Sequence, residues 1–362
     1  MNNNLLLLSY CPSLRESWLF KLTEAGLTIE EVVHMTSDQA RAWGLTSEMY
    51  SKFNQERNDF NLDKAQTELK KLGLNFITGE DTCWPTSLNN LNPAPLWLFV
   101  RGNLEAFQAE NIIGFVGTRK LSPYGQLISK NVANWLTNGG ATLVSGLAFG
   151  ADAIAHQAAV ASHLPTIAIL ASSADEASLY PQSHVPLARK IIENNGALVS
   201  EWPPYFHPQQ YHFPYRNRLI AGLSKALVIT EAPIKSGTLH TAKWALELGL
   251  PIGAVPGDIN RESSSGTNYL ISNGATALCN KEDILQFAGL EIPSDTDQLS
   301  LDNEDLSDLA KKIWHNLTEP KNFDQLTTDL GLPSAEILGA LTELEINDKI
   351  SRLSTNDFSR KF

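Results

Sequence analysis

The residues best suited to chemistry in this sequence are small ones, gathered where apolar runs end. Gly117, Thr118 and Arg119 follow the run "NIIGFV" and offer a tight turn, a hydroxyl and a guanidinium, with Lys120 next in line. Ser145 and Gly146 close the run "ATLV", and Gly150 stands just ahead of the helical segment "ADAIAHQAAV". Lys235, Ser236, Gly237 and Thr238 lead into a third helical segment, "LHTAKWALELG". At helix starts of this kind, unpartnered amide N–H groups and the helix dipole favour an anion. One such loop is what any doubly wound fold uses for turns and N-caps. Three of them, with Arg119, Arg216 and Lys235, point to a phosphate pocket.

The kind of phosphate is narrowed by what is missing. No G-x-G-x-x-G follows the first run, and no G-x-x-x-x-G-K-[ST] occurs, so dinucleotide and nucleoside triphosphate chemistry lose ground. The segment "YHFPYRNRLIAGLS" adds aromatics and guanidiniums. Tyr211, Phe213 and Tyr215 alternate, which in an extended backbone puts them on one face, with Arg216 and Arg218 on the other and Asn217 between. Pro214 argues against a central strand, so the stretch reads as a loop running into the helix "RLIAGLS". Stacking rings beside phosphate-gripping cations suit single-stranded nucleic acid. The competing reading is internal packing, with the arginines paired to Glu201 or Glu231. His156, His207, His212 and His240 have no metal-ligand spacing, Asp152, Asp175, Glu201 and Glu231 suit caps or arginine partners, and Ser145 is not in a nucleophile elbow. No metal, cofactor or catalytic residue is expected.

These loops need a framework, and the pattern supplies one. Apolar runs at 111–117, 141–146, 165–171, 197–201, 226–232 and 252–257 alternate with helical segments, as in a parallel sheet covered on both faces. In such sheets ligands bind outside the carboxyl ends of the strands, where the five loops after the first, second, fourth, fifth and sixth runs converge. The fold expected is α/β, Rossmann-like and doubly wound with a mostly parallel sheet, spanning residues 63–288. Residues 1–62 carry helical patterns broken at glycines and Ser/Thr caps and predict a small helical domain. Residues 289–304 are polar and acidic and read as a linker. Residues 305–362 predict three helices and a hairpin, a winged helix.

With 362 residues, the chain exceeds the roughly 250 to 300 that one core supports. Its net charge of −12 argues against a surface that coats nucleic acid wholesale, which leaves room only for a focused cationic pocket. Three scattered cysteines suggest no disulfide framework, and neither a leader nor a spanning segment is evident, so a cytoplasmic location and no membrane partner are expected.

In order along the chain, "IIGFVGTRKLSPYG", "LVSGLAFGADAIAH", "LYPQSH", "LVSEWPP", "FPYRNRLIAGLS", "EAPIKSGTLHTAKWALELG" and "GTNYLISNGA" resemble the DNA-processing protein A family, DprA or Smf, and "CWPTSLNNLNPAPLWLFVRGN" is similar to its lead-in. The motifs cover about residues 84–278. The resemblance implies a sterile-alpha-motif-like or helix-hairpin-helix first domain and a variable winged helix at the end. It further implies a non-enzymatic homodimer that binds and protects incoming single-stranded DNA and loads a RecA-type recombinase in natural transformation and homologous recombination. By the family's pattern Arg119, Ser145, Gly146, Arg216, Arg218 and Ser236 to Thr238 line the DNA-backbone pocket. One departure stands out. Phe149 occupies the place of the family's usual arginine, and Lys120 or Lys235 could replace that charge, or Phe149 could stack a base.

Two other classes stay open. One is a nucleotide-processing enzyme of the lysine-decarboxylase-like phosphoribohydrolase type, although Thr241 stands where that family carries its acid. The other is a duplex-DNA regulator acting through the last domain. The third helix there, "PSAEILGALTELEIND", bears Glu336, Glu343 and Glu345 and no Lys or Arg, which favours a protein contact over a DNA groove.

Overall fold

Runs of Ile, Val, Leu and Ala that are apolar on both faces can rest only between two helical layers, and that is their place in the computed structural model. The structure describes residues 2–14, 16–291, 306–317, 321–347, 349–352 and 357–360. Contacts divide the chain into two units, Met1–Glu291 and Ile292–Phe362. The expected linker at 289–304 falls mostly outside the described residues.

The first unit is built on one sheet with strands β1 (Leu74–Thr78), β2 (Trp97–Gly102), β3 (Ile112–Val116), β4 (Thr142–Ser145), β5 (Thr166–Ile169), β6 (Ala197–Ser200), β7 (Ala226–Ile229), β8 (Ile252–Ala254) and β9 (Thr276–Ala277). Their order is β1-β2-β6-β5-β4-β3-β7-β8-β9. The pairings from β6 through to β9 are parallel. The edge pair β1 and β2 joins antiparallel, with Phe99 opposite Ser200. The sequence pattern gives the six central strands and places β2 inside the lead-in segment, where Pro93 and Pro95 mask its short apolar run; it does not pick out β1 or the two-residue β9.

Ahead of the sheet run helices α1 (Asn3–Ser9), α2 (Glu16–Glu24), α3 (Ile29–Val33), α4 (Ser37–Ala42), α5 (Ser47–Asp59) and α6 (Leu62–Leu72). Three begin at threonines: the side chains of Thr28, Thr36 and Thr46 accept from the amides of Glu31, Gln39 and Met49. The first two complete capping boxes. Leu6, Leu19, Val32 and Phe53 share one core with Phe76, Phe99, Leu170 and Leu198 of the sheet layer. The helical segment is therefore buttressed by the strands rather than closed on itself.

Helices α7 (Pro123–Asn138), α8 (Ala151–Ala161), α9 (Val185–Glu193), α10 (His212–Leu223), α11 (Thr238–Glu247), α12 (Ser265–Ser272) and α13 (Lys281–Phe287) cover the sheet. In α10 the structure corrects the sequence. Of the aromatics expected in an extended loop, Phe213 and Tyr215 already lie in the helix and Tyr211 is its N-cap. Pro214 is tolerated there because it falls in the first turn, where its missing N–H has no intrahelical acceptor to lose. A helical backbone then turns Phe213 and Tyr215 about 200° apart rather than onto one face.

The second unit has helices at Asp308–Asn316, Phe323–Leu330 and Ser334–Ile346, with strands β10 (Lys321–Asn322), β11 (Ile350–Arg352) and β12 (Asp357–Arg360) paired antiparallel in the order β10-β12-β11. Ala310, Ile313, Leu326, Ile337, Leu341 and Phe358 form its core. Two of the acids on the last helix are tied within the unit. Glu343 accepts from the Ser307 amide and hydroxyl, both at 2.6 Å, and Glu345 pairs Arg352 at 3.0 Å. Among the described residues of either unit, no helix is long and apolar enough to cross a membrane.

Candidate functional site

Strand order reverses where β3, having β4 on one side, meets β7 on the other. Diverging loops leave a crevice there. The loops after β3 and β7 are stitched together by the Thr118 amide, which donates to the Glu231 carbonyl at 2.7 Å. The buried Glu231 carboxylate accepts from the Ser122 amide (2.9 Å) and hydroxyl (2.7 Å) and from the Ser263 hydroxyl (2.6 Å). That one side chain holds the loop after β3 to the loop after β8.

The crevice they frame has a volume of about 1390 Å³, beyond the roughly 300 to 1,000 Å³ of a small-molecule pocket. It is a trough suited to an extended ligand. Of the residues singled out in the sequence, Gly117, Thr118, Arg119, Lys120, Arg216, Asn217, Lys235, Ser236, Gly237 and Thr238 line it together. Arg119, Lys120 and Lys235 are exposed. Among the described residues none of the three forms an ion pair. The Arg119 guanidinium instead rests over the Phe213 ring, 4.9 Å from its centre, and Phe213 meets Tyr180 edge-on at 5.6 Å. Tyr180, half exposed, completes this aromatic wall.

The remaining sequence candidates lie elsewhere. Arg218 is fully buried, donating to both oxygens of Glu201 at 2.7 and 2.5 Å and covering the Tyr215 ring at 4.0 Å. Its charge is spent inside the protein, as the packing alternative held, and Tyr215 stays with it through a hydroxyl that accepts from Arg218 at 3.1 Å. Ser145 is buried, its hydroxyl donating to the Phe115 carbonyl at 2.6 Å, so it offers nothing to the crevice. Gly146 sits beneath the crevice, where a Cβ would strike the Arg216 guanidinium. Phe149 faces a neighbouring groove.

Arg216 lines the crevice yet is almost fully buried. It donates to the carbonyls of Gly146 (2.8 Å) and Ile169, and to Asn217 Oδ1 at 3.0 Å. Burial pushes its pKa down to about 10, with Asp152 opposing the shift, so the group is a cation at neutral pH. Burial also raises Asp152 above the usual carboxylate range, while Arg216 and the amides of Ala148 and Gly146 pull it back. Those amides donate to Asp152 Oδ2 at 3.3 and 3.1 Å. The loop amides ahead of α8, where a phosphate was expected, are thus taken by the protein's own Asp152 side chain.

At α11 the start is open. Gly237 has no side chain to cap the helix, and two hydroxyl oxygens enclosed at this end, Ser236 Oγ and Thr241 Oγ1, have no hydrogen-bond partner among the described residues. Thr241 is buried and lines the crevice. An unpartnered buried hydroxyl at an uncapped helix start is a place for an anionic oxygen. The sequence reading did not single out Thr241, Tyr180 or Arg261 as ligands. Arg261, in the loop after β8, pairs Asp258 at 2.9 Å and also lines the crevice.

Family models match two stretches of the chain. Residues 75–289 match the model of DNA recombination-mediator protein A, and residues 299–355 that of the DprA winged helix domain. The chain belongs to the DprA family. Protein Smf of Escherichia coli is 36% identical over 278 residues, 75% of this chain and 73% of that protein. The crystal structure of DprA from Streptococcus pneumoniae superposes with a TM-score of 0.66 at 29% identity, covering 81% of this chain and 99% of that one. DprA from Helicobacter pylori, whose structure was described for its unique single-stranded DNA binding mode, aligns with a TM-score of 0.51 at 30% identity over 58% of this chain and 94% of its own. The DprA match takes in the whole crevice described above and, separately, the winged helix.

Proposed function

We propose that the strand-end crevice holds the backbone of single-stranded DNA, and that the protein protects incoming DNA and passes it to a RecA-type recombinase. The observation that carries this reading is the trio Arg119, Lys120 and Lys235, exposed along a trough and engaged by no carboxylate among the described residues, in a chain of net charge −12. Phosphates lie along these cations and at the α11 start, while Phe213 and Tyr180 offer ring faces to unpaired bases. A duplex keeps its bases stacked inside and gains nothing from that wall. Recognition through backbone and stacking is indifferent to sequence. Handover to a recombinase is supported by membership of a recombination-mediator family.

The test is a salt titration of binding to a fluorescent single-stranded oligonucleotide with duplex competitor. The expected result is preference for the single strand and an affinity that falls steeply with salt. Equal competition by duplex, or affinity indifferent to salt, would reject the reading.

A further inference from the structure

Arg119 and Lys120 have a second face. Besides the strand-end crevice they line a groove of about 1120 Å³ between α7 and α8. On α7 its wall carries Gln126, Lys130 and Asn134, spaced four apart and so on one face of the helix. Its floor on α8 is mostly apolar, with Ala153, Ile154 and Ala158 beside the exposed amide of Gln157. Among the described residues no acid lines it, and Lys130 is exposed with no ion pair. At its mouth stands Phe149, 45% exposed, braced edge-on against His184 at 4.9 Å. His184 is itself fixed, its Nδ1 donating to the Leu147 carbonyl at 2.9 Å. An exposed ring held in place by a fixed neighbour loses little freedom when something stacks on it.

We propose that the single strand does not end in the strand-end crevice but turns over Arg119 and Lys120 into the α7–α8 groove, with one base stacked on Phe149 and a following phosphate at Lys130. This rests on the reading of the first crevice. Two features select nucleic acid as the occupant: the groove is continuous with that crevice through two shared cations, and its charge is positive in an acidic protein. A largely apolar floor between a ring and a lysine accommodates bases and backbone without selecting a sequence.

Two lengths of labelled oligothymidylate separate the grooves, one of about four nucleotides and one of about twelve. The full-length protein is expected to bind the longer more tightly. Phe149→Ala is expected to weaken the longer by about tenfold and leave the shorter unchanged. Lys130→Ala should make the salt dependence for the longer shallower by about 0.7. Lys235→Ala, in the first crevice alone, should weaken both lengths. Wild-type affinity for the longer strand in both Phe149→Ala and Lys130→Ala would overturn the second groove while leaving the first intact. If those variants changed only the sedimentation of the protein, the groove would belong to a second copy of the chain and the proposal would fall. Binding of neither length by the wild type would overturn the first reading and this one with it. Because Phe149 and Lys130 are exposed, thermal unfolding should be unchanged in either variant.

Discussion

Arg119 and Arg218 are the same side chain in the same company, each with its guanidinium over an aromatic ring near α10, yet they do opposite work. Arg218 covers Tyr215 at 4.0 Å, is fully buried and is gripped by both oxygens of Glu201. Arg119 rests on Phe213 at 4.9 Å, is exposed and meets no carboxylate among the described residues. Arg218 is a strut of the fold, whereas Arg119 is an exposed charge on the rim of the crevice, the place the proposal gives to a phosphate. What separates them is an acid within reach. The two helix starts repeat the lesson, since Asp152 satisfies the amides before α8 while the hydroxyls of Ser236 and Thr241 at α11 have no partner among the described residues.

This contrast can be broken most forcefully at the strut. Arg218→Ala strands Glu201 as a buried charge and is expected to cost about 3 to 5 kcal/mol, read as a lower urea midpoint at unchanged slope. Replacing both partners, Arg218→Met with Glu201→Leu, should recover most of that loss. If Arg218→Ala instead kept its stability and lost DNA, the roles of the two arginines would be reversed.

Buried groups beneath the crevice should also register pH. His156 on α8 is fully buried, facing His184 and Arg216, and its pKa is pushed down to about 3 by burial first and those two charges next. Its Nδ1 meets the Thr166 hydroxyl at 2.9 Å, and that hydroxyl donates to the Leu143 carbonyl, so the ring nitrogen is the donor. The folded state holds a neutral ring, so the unfolded chain binds more protons below pH 6.5. This contribution to stability, present above 6.5, is therefore lost by about 1.4 kcal/mol per pH unit down to about pH 3. Denaturant midpoints for the wild type and His156→Gln across that range will check it, the variant showing the shallower decline.

At the ligand-facing arginine the effect should move from stability to binding. Arg119→Ala is expected to leave stability within about 0.5 kcal/mol of wild type and to make the salt dependence of single-strand binding shallower by about 0.7, on every sequence alike. A drop in melting temperature with unchanged binding would make Arg119 structural. The smallest effect is expected at the open helix start. Thr241→Val removes a hydroxyl that has no internal partner and keeps the shape, so stability should hold or rise by about 1 kcal/mol while single-strand affinity falls severalfold. A stability loss there would reveal a partner for the hydroxyl inside the fold.

Much of this could be read from the chain because local pattern governs it. The runs at β3 to β8 are apolar on both faces, and each ends in small or polar residues, so strand, direction and the side on which a ligand sits follow without distant information. The threonines that start α3, α4 and α5 announce themselves in the same way. Alternation misled at α10, where Tyr211, Phe213 and Tyr215 look like a strand face. The helix wins because its later residues, Leu219, Ile220 and Leu223, are buried against the sheet layer.

By itself the sequence determined which residues collect at the strand ends, that they are small, hydroxylic or cationic, and that the family motifs run through them in order. Which of those cations is free to meet a ligand was decided only by the tertiary structure. Glu201 at the end of β6 and Asp152 on α8 are 17 and 64 residues from Arg218 and Arg216, from 218 − 201 and 216 − 152. The local pattern offers Glu201 and Glu231 alike as partners and does not say which guanidinium lies beside which acid. The meeting is set by strand order and helix packing, and burial then fixes the charge where the fold needs it.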